Sequence, residues 1–168
     1  MEKLTLSNPI TINGKKVKTL TYDTGAITVD KTTVLRAAAV EEGGAPSRAL
    51  TLSFFIGEEH TLPVLSLVTD SPRRFSETYN GAVKYRECAA NLSLLAPEGG
   101  FSIDCGVELK GRTSLFNPKK SLGVSFRGCY GAETLRYDIF GKGPAEFTEL
   151  SIRAGQDYIS TVFRNELM

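Results

Sequence analysis

Histidine occurs once in this chain, as His60, and no second histidine or cysteine stands near it. A nucleophile-histidine-acid triad and a zinc cluster both need more than that, so histidine-based catalysis is excluded. His60 reads instead as a linker residue following Gly57, Glu58 and Glu59. Cysteine is scarce too. Cys88, Cys105 and Cys129 are odd in number and lack the close pairing of a metal or redox motif, and their spacing leaves a single disulfide open. Cys105 shares a strand face with Ile103, Val107 and Leu109 and reads as a small buried apolar residue. No apolar run approaches the ~20 residues that span a bilayer, and MEKLTLSNPI lacks the charged-then-apolar layout of a signal peptide. The expectation is a soluble chain without membrane insertion. An excess of charge of one sign is missing as well: 20 basic residues face 19 acidic ones, the net charge is +1, and no long run of one sign occurs. That balance argues against a nucleic-acid partner.

What is present suits a β protein. With 168 residues and 41% hydrophobic content, the chain can build one good core or two small β-rich units. From Leu4 to Ile56 short strands alternate with turns, at Asn13-Gly14, at Asp23 to Gly25 and at Gly43-Gly44, with TTVLRAAAV and LTLSFFI as the clearest strands. This part carries no acid pair, metal cluster or phosphate loop. Glu58 to Thr61 reads as a short charged linker. Beyond it VLSLVT is a strand that Asp70-Ser71-Pro72 ends as a turn, and the polar segment Ser76 to Ala82 reads as loop. AANLSLL then runs into Pro97-Glu98-Gly99-Gly100, a turn that returns the chain as IDCGVELK. Further strands are expected around Leu135 to Ile139 and at FTELSIR. At the end, Asp157 is placed to cap a helix whose apolar stripe is Ile159, Val162, Phe163 and Leu167.

The stretch Gly106 to Arg127, GVELKGRTSLFNPKKSLGVSFR, holds the chemistry. Its first strand sets Val107 and Leu109 on one face and Glu108 and Lys110 on the other; its second sets Leu122, Val124 and Phe126 against Ser121, Gly123 and Ser125. Between them a polar loop carries Gly111, Arg112, Thr113, Ser114 and, after Pro118, Lys119 and Lys120. Such a surface can bind an anionic group through backbone amides, hydroxyls and ammonium charge. The side-chain period of two places Lys119 with Ser121 and Lys120 with the apolar row. A lysine opening an apolar row either reaches out at the strand end or meets a partner.

These residues carry a resemblance. Gly111, Ser114, Pro118 to Ser121 and Tyr130-Gly131, with the later FTELSIRAGQDYISTVFRNEL and the earlier LPVLSLVTDSPRRF and RECAANLSLL, resemble the CotH family of atypical protein kinases from about Leu62 onward. The resemblance implies a kinase-like amino-terminal lobe over residues 62–168, an antiparallel sheet with one terminal helix. It also implies ATP and Mg as cofactors, a protein Ser/Thr substrate, and work at spores or cell surfaces. Lys120 would hold nucleotide phosphate with Glu166 of the helix as its partner, and the loop from Gly111 to Asn117 would cover phosphate, chiefly through Arg112 and Ser114, with Lys119 beside them. The family's catalytic and metal-binding aspartates follow the helix, so no residue here inherits those roles, and the expectation is an amino-terminal fragment inactive by itself.

A second resemblance covers the first part. YDTGAITVDKTTVLRAAAVEEGGAPSRALTLSFFI is similar to the small immunoglobulin-like β sandwich at the carboxyl end of chitobiases and β-hexosaminidases, which implies a scaffold module over residues 1–57. The fold expected overall is therefore mainly β (α+β), a small sandwich followed by the kinase-like lobe. The competing function is a non-catalytic module binding a surface carbohydrate or protein partner.

Overall fold

The computed structural model describes residues 2–12, 15–22, 28–40 and 44–155, with side chains from residue 28 onward. The chain divides into two compact units, Met1–Thr61 and Leu62–Met168. It is mainly β, built from antiparallel sheets.

In the first unit, strand β1 (Glu2–Ile12) pairs with β2 (Lys15–Tyr22), and β3 (Thr33–Ala37) pairs with β4 (Leu50–Phe54), both antiparallel. Ile12 lies opposite Lys15; the Asn13-Gly14 pair expected to turn the chain lies outside the described residues. The β1–β2 register slips between Thr5 and Ile10, an irregularity that interrupts the pairing. On β4 Thr51 is buried and accepts from the Arg36 guanidinium across the strand pair.

The second unit is organised by a five-stranded antiparallel sheet. It contains β5 (Val64–Thr69), helix α1 (Pro72–Asn80), β6 (Cys88–Ala96), β7 (Gly99–Lys110), a 3-10 turn (Thr113–Phe116), β8 (Ser121–Ser125), the short β9 (Leu135–Arg136) and β10 (Glu146–Phe147), and β11 (Glu149–Ile152). The sheet order is β11-β8-β7-β6-β5. Ala96 pairs with Gly99, so Pro97-Glu98 make the tight turn expected of that sequence. Register puts Cys88 opposite Val107, Ala90 opposite Cys105 and Leu92 opposite Ile103, then Val107 opposite Val124 and Leu109 opposite Leu122. Every second residue therefore adds to one apolar face. Leu92, Val107, Leu109 and Val124 are closed off from water there, each contributing about 1.5–3 kcal/mol by burial.

That face is covered by Phe75 from α1 and by Leu135, Tyr137, Ile139 and Phe147 from the excursion between β8 and β11. The strand expected over Leu135 to Ile139 is only two residues long, paired with β10. Cys105 sits in this core as a small apolar residue, and burial, aided by the charges of Asp104, Glu87 and Asp70, pushes its thiol up to about 12. Cys88, Cys105 and Cys129 are all free thiols.

Helix α1 corrects the reading of Ser76 to Ala82 as loop. Pro72 occupies the first turn, where its missing N–H is no loss, and Phe75, Thr78 and Tyr79 fall on one side at helical spacing. Thr78 is buried and donates to the Arg74 carbonyl at 2.8 Å, while Arg73 pairs with Glu77 at 3.1 Å on the outer side. The segment is polar because only a narrow side packs on the sheet. Gly81 ends it, its N–H donating to the Glu77 carbonyl at 3.0 Å. The one α-helix among the described residues is therefore internal to the unit; the expected terminal helix, with Asp157 and Glu166, lies outside them.

Candidate functional site

The polar face of the sheet follows from the same alternation that builds the core. Glu108 and Lys110 of β7 lie opposite Gly123 and Ser121 of β8, and Ser151 of β11 lies opposite Gly123 on its other side. Gly123 is buried under a side chain: a Cβ there would stand 2.9 Å from Lys110 Cγ and 3.1 Å from Cδ. Lys110 therefore lies across the strand, and its ammonium meets Glu108 Oε1 at 3.4 Å.

After Lys110 the chain leaves the sheet at Gly111, whose φ of +128° is backbone that L side chains rarely adopt. A Cβ at this position would also collide with the Ser114 hydroxyl, which sits directly over it. The 3-10 turn is anchored by buried Leu115 and closed by the Asn117 N–H donating to the Ser114 carbonyl at 3.2 Å. The chain then passes through Pro118, Lys119 and Lys120 into β8. On the far side of β8, Ser121 Oγ accepts the Ala154 N–H at 3.0 Å, which holds the exit of β11 beside the entry of β8.

These segments enclose a cavity of about 300 Å³. Three cations line it, Lys110, Lys119 and Arg153, together with the hydroxyls of Ser114, Ser121 and Ser151. Gly111, Asn117, Ala154 and Gly155 complete the wall, and none of the described residues that line it carries a carboxylate. Cations and hydroxyl donors converging on one small space suit an oxyanion such as phosphate. At this volume the cavity is at the small end of ligand pockets, with room for phosphate groups rather than a whole nucleotide.

The expected site residues are thus divided. Gly111, Ser114 and Lys119 meet at the cavity. Arg112 is exposed and is not part of its lining. Lys120 lies on the other side of the sheet, where its ammonium donates to the Asn117 carbonyl at 2.9 Å and rests 4.9 Å above the Tyr79 ring. Glu166 lies outside the described residues. Lys110, Arg153, Ser121 and Ser151 were missed as site residues. Alternation set Lys110 against the apolar face of its own strand and Ser121 against that of the next, but only the β7–β8–β11 register brings Lys110, Arg153 and both serines together.

Two further polar clusters brace this face. Glu87 Oε1 accepts the Tyr130 hydroxyl at 2.5 Å, while its Oε2 accepts Ser125 Oγ at 3.0 Å and meets Arg127 at 3.3 Å. Burial first, then the hydrogen bond to Glu87 and its charge, push the Tyr130 hydroxyl up to about 12. Farther along, Asn91 donates to Asp104 at 3.0 Å and accepts from Ser93 and Ser102, so the buried amide has partners for both ends.

For a metal ion the fit is different. Among the described residues no three His, Cys, Asp or Glu side chains gather where they could hold one. The donor set thus fits phosphate, and the described residues of the lining offer Mg no carboxylate ligand. Comparison of the chain with protein-family models, curated proteins and solved structures found no match in any of the three.

Proposed function

We propose that residues 62–168 act as the nucleotide-side lobe of a CotH-type atypical protein kinase and that the cavity between β7, β8 and β11 receives phosphate groups of ATP. The observation that carries this reading is the convergence of Lys110, Lys119 and Arg153, with three serine hydroxyls, on one cavity. Lys110 and Lys119 offer compact ammonium charges, while Arg153 offers a planar fork that suits two phosphate oxygens at once. Ser114 and Ser121 add hydroxyl donors, and Glu108 holds the Lys110 ammonium at the cavity wall. Bound there, ATP supplies the phosphoryl group for transfer to a protein Ser/Thr hydroxyl. On this reading the phosphate lysine is Lys110, with Lys119 beside it, rather than Lys120. The carboxylates that position an acceptor and hold Mg come from outside the described residues. Residues 1–57 are the scaffold in this proposal, a chitobiase-like sandwich, which the antiparallel pairing of TVLRA with LTLSF supports.

Calorimetric titration with ATP tests it. The chain binds ATP, and Lys110→Ala or Arg153→Ala weakens binding by about tenfold or more, the usual magnitude for a hydrogen bond to a charged group. No binding at millimolar ATP, or equal binding by wild type and Lys110→Ala, refutes the proposal.

A further inference from the structure

Lys119 is the cavity's one cation carried on the loop between β7 and β8, whereas Lys110 ends β7 and Arg153 directly follows β11. Something other than the sheet ladder must hold it, because a lysine on an untethered loop loses side-chain and backbone freedom each time it meets an anion. One group that holds the loop on both sides of Lys119 comes from α1. The Tyr79 hydroxyl, in the last turn of α1, accepts the Lys120 N–H at 2.9 Å and donates to the Pro118 carbonyl at 3.3 Å. One hydroxyl therefore bridges the two residues that flank Lys119. The Lys120 ammonium strengthens the tie by donating to the Asn117 carbonyl while lying over the same tyrosine ring. Three backbone positions, Asn117, Pro118 and Lys120, are thus fastened on the α1 side, and Lys119 between them lines the cavity.

The anchor itself is firm. Tyr79 is half-buried, its ring 6.0 Å from that of Phe75, and Phe75 packs on the apolar face of the sheet. We infer that Tyr79 is a positioning residue for the anion site: through paired hydrogen bonds to Pro118 and Lys120 it pre-sets Lys119 toward the cavity without touching the anion. Lys120 serves the same purpose from the same side. Binding energy that would go into ordering the loop is then available for the anion. This inference rests on the cavity being an anion site.

Pyrophosphate titration of the full chain tests it with five proteins: wild type, Tyr79→Phe, Lys119→Ala, the Tyr79→Phe/Lys119→Ala double variant, and Lys110→Ala as the measure of Lys110-dependent binding. Tyr79→Phe keeps the ring under Lys120 and against Phe75 and removes only the hydroxyl. It should weaken pyrophosphate binding about fivefold, the effect of one net hydrogen bond, and its Lys120 amide should exchange faster with solvent. In the Lys119→Ala background the same change should leave affinity unaltered, whereas any loss in thermal midpoint should be the same in both backgrounds. A purely structural tyrosine predicts equal affinity losses in the two backgrounds, and that result overturns the inference. Unchanged affinity in Tyr79→Phe, with the wild type binding in a Lys110-dependent way, overturns it alone. A wild type showing no Lys110-dependent binding sinks the anion-site reading and this inference with it.

Discussion

Gly123→Ala is the sharpest single perturbation of this site, because it adds one methyl group where the Lys110 side chain lies closest. The new Cβ would stand 2.9 Å from Lys110 Cγ, closer than real Cβ contacts come, so the lysine must swing aside. The obstructed atoms belong to a flexible side chain and not to backbone, so the sheet itself need not move. Two small stability terms then oppose each other. Alanine in place of glycine in a strand stabilises by about 0.4–1 kcal/mol through the unfolded chain, and loss of the half-exposed Lys110–Glu108 pair costs about 0.2–1 kcal/mol. The net change in unfolding free energy should be within about 0.8 kcal/mol of zero, read from urea midpoints. Binding should respond very differently. Removing one charge-assisted contact costs about 1.5–3 kcal/mol, which is roughly a tenfold to hundredfold rise in the dissociation constant for pyrophosphate by calorimetry. In a Lys110→Ala background the substitution should bring no further loss. Retained affinity in Gly123→Ala, with stability unchanged, would show that the ammonium of Lys110 is not what the anion meets, and the reasoning would fail.

Alkaline pH should probe the Glu87 cluster. The Tyr130 hydroxyl is raised from about 10 to about 12, so the folded chain holds this proton more tightly; its contribution is complete below pH ~10 and is lost as pH climbs toward 12. Tyr130→Phe should flatten the fall in urea midpoint between pH 10 and 12, while the slope due to Cys105 persists in both proteins; an identical slope in the two would count against the cluster. In the core, Leu92→Ala should lower unfolding free energy by about 2–5 kcal/mol, since Leu92 is fully buried on β6, an interior strand between β5 and β7. A loss below ~1 kcal/mol by urea titration would contradict that burial.

Alternation made much of the sheet legible. The pattern through VELK set Val107 and Leu109 against Glu108 and Lys110, that through SLGVSF set Leu122, Val124 and Phe126 against Ser121 and Gly123, and the register joins the two apolar rows on one face. The Pro97 to Gly100 turn likewise announced the β6–β7 hairpin. A period-two signal is local and strong wherever one face is buried, so no knowledge of distant contacts was needed. The same rule already separated Lys119 from Lys120.

Helix α1 was hidden because its identity does not rest on its own composition. PRRFSETYN is mostly polar, and Phe75 and Tyr79 make an amphipathic side only once a sheet lies beneath them. The candidate site was hidden for a related reason. Lys110, Lys119 and Arg153 belong to three segments, and no spacing along the chain relates a residue at the end of β7 to one just after β11. Their meeting depends on β11 returning to pair with β8, and Lys120's diversion depends on α1 presenting Tyr79 to it. The sequence by itself determined the β character, the faces of the strands and the polar loop. Tertiary structure alone decided which cations face the cavity, because non-local strand pairing, not local propensity, sets which distant side chains share a surface.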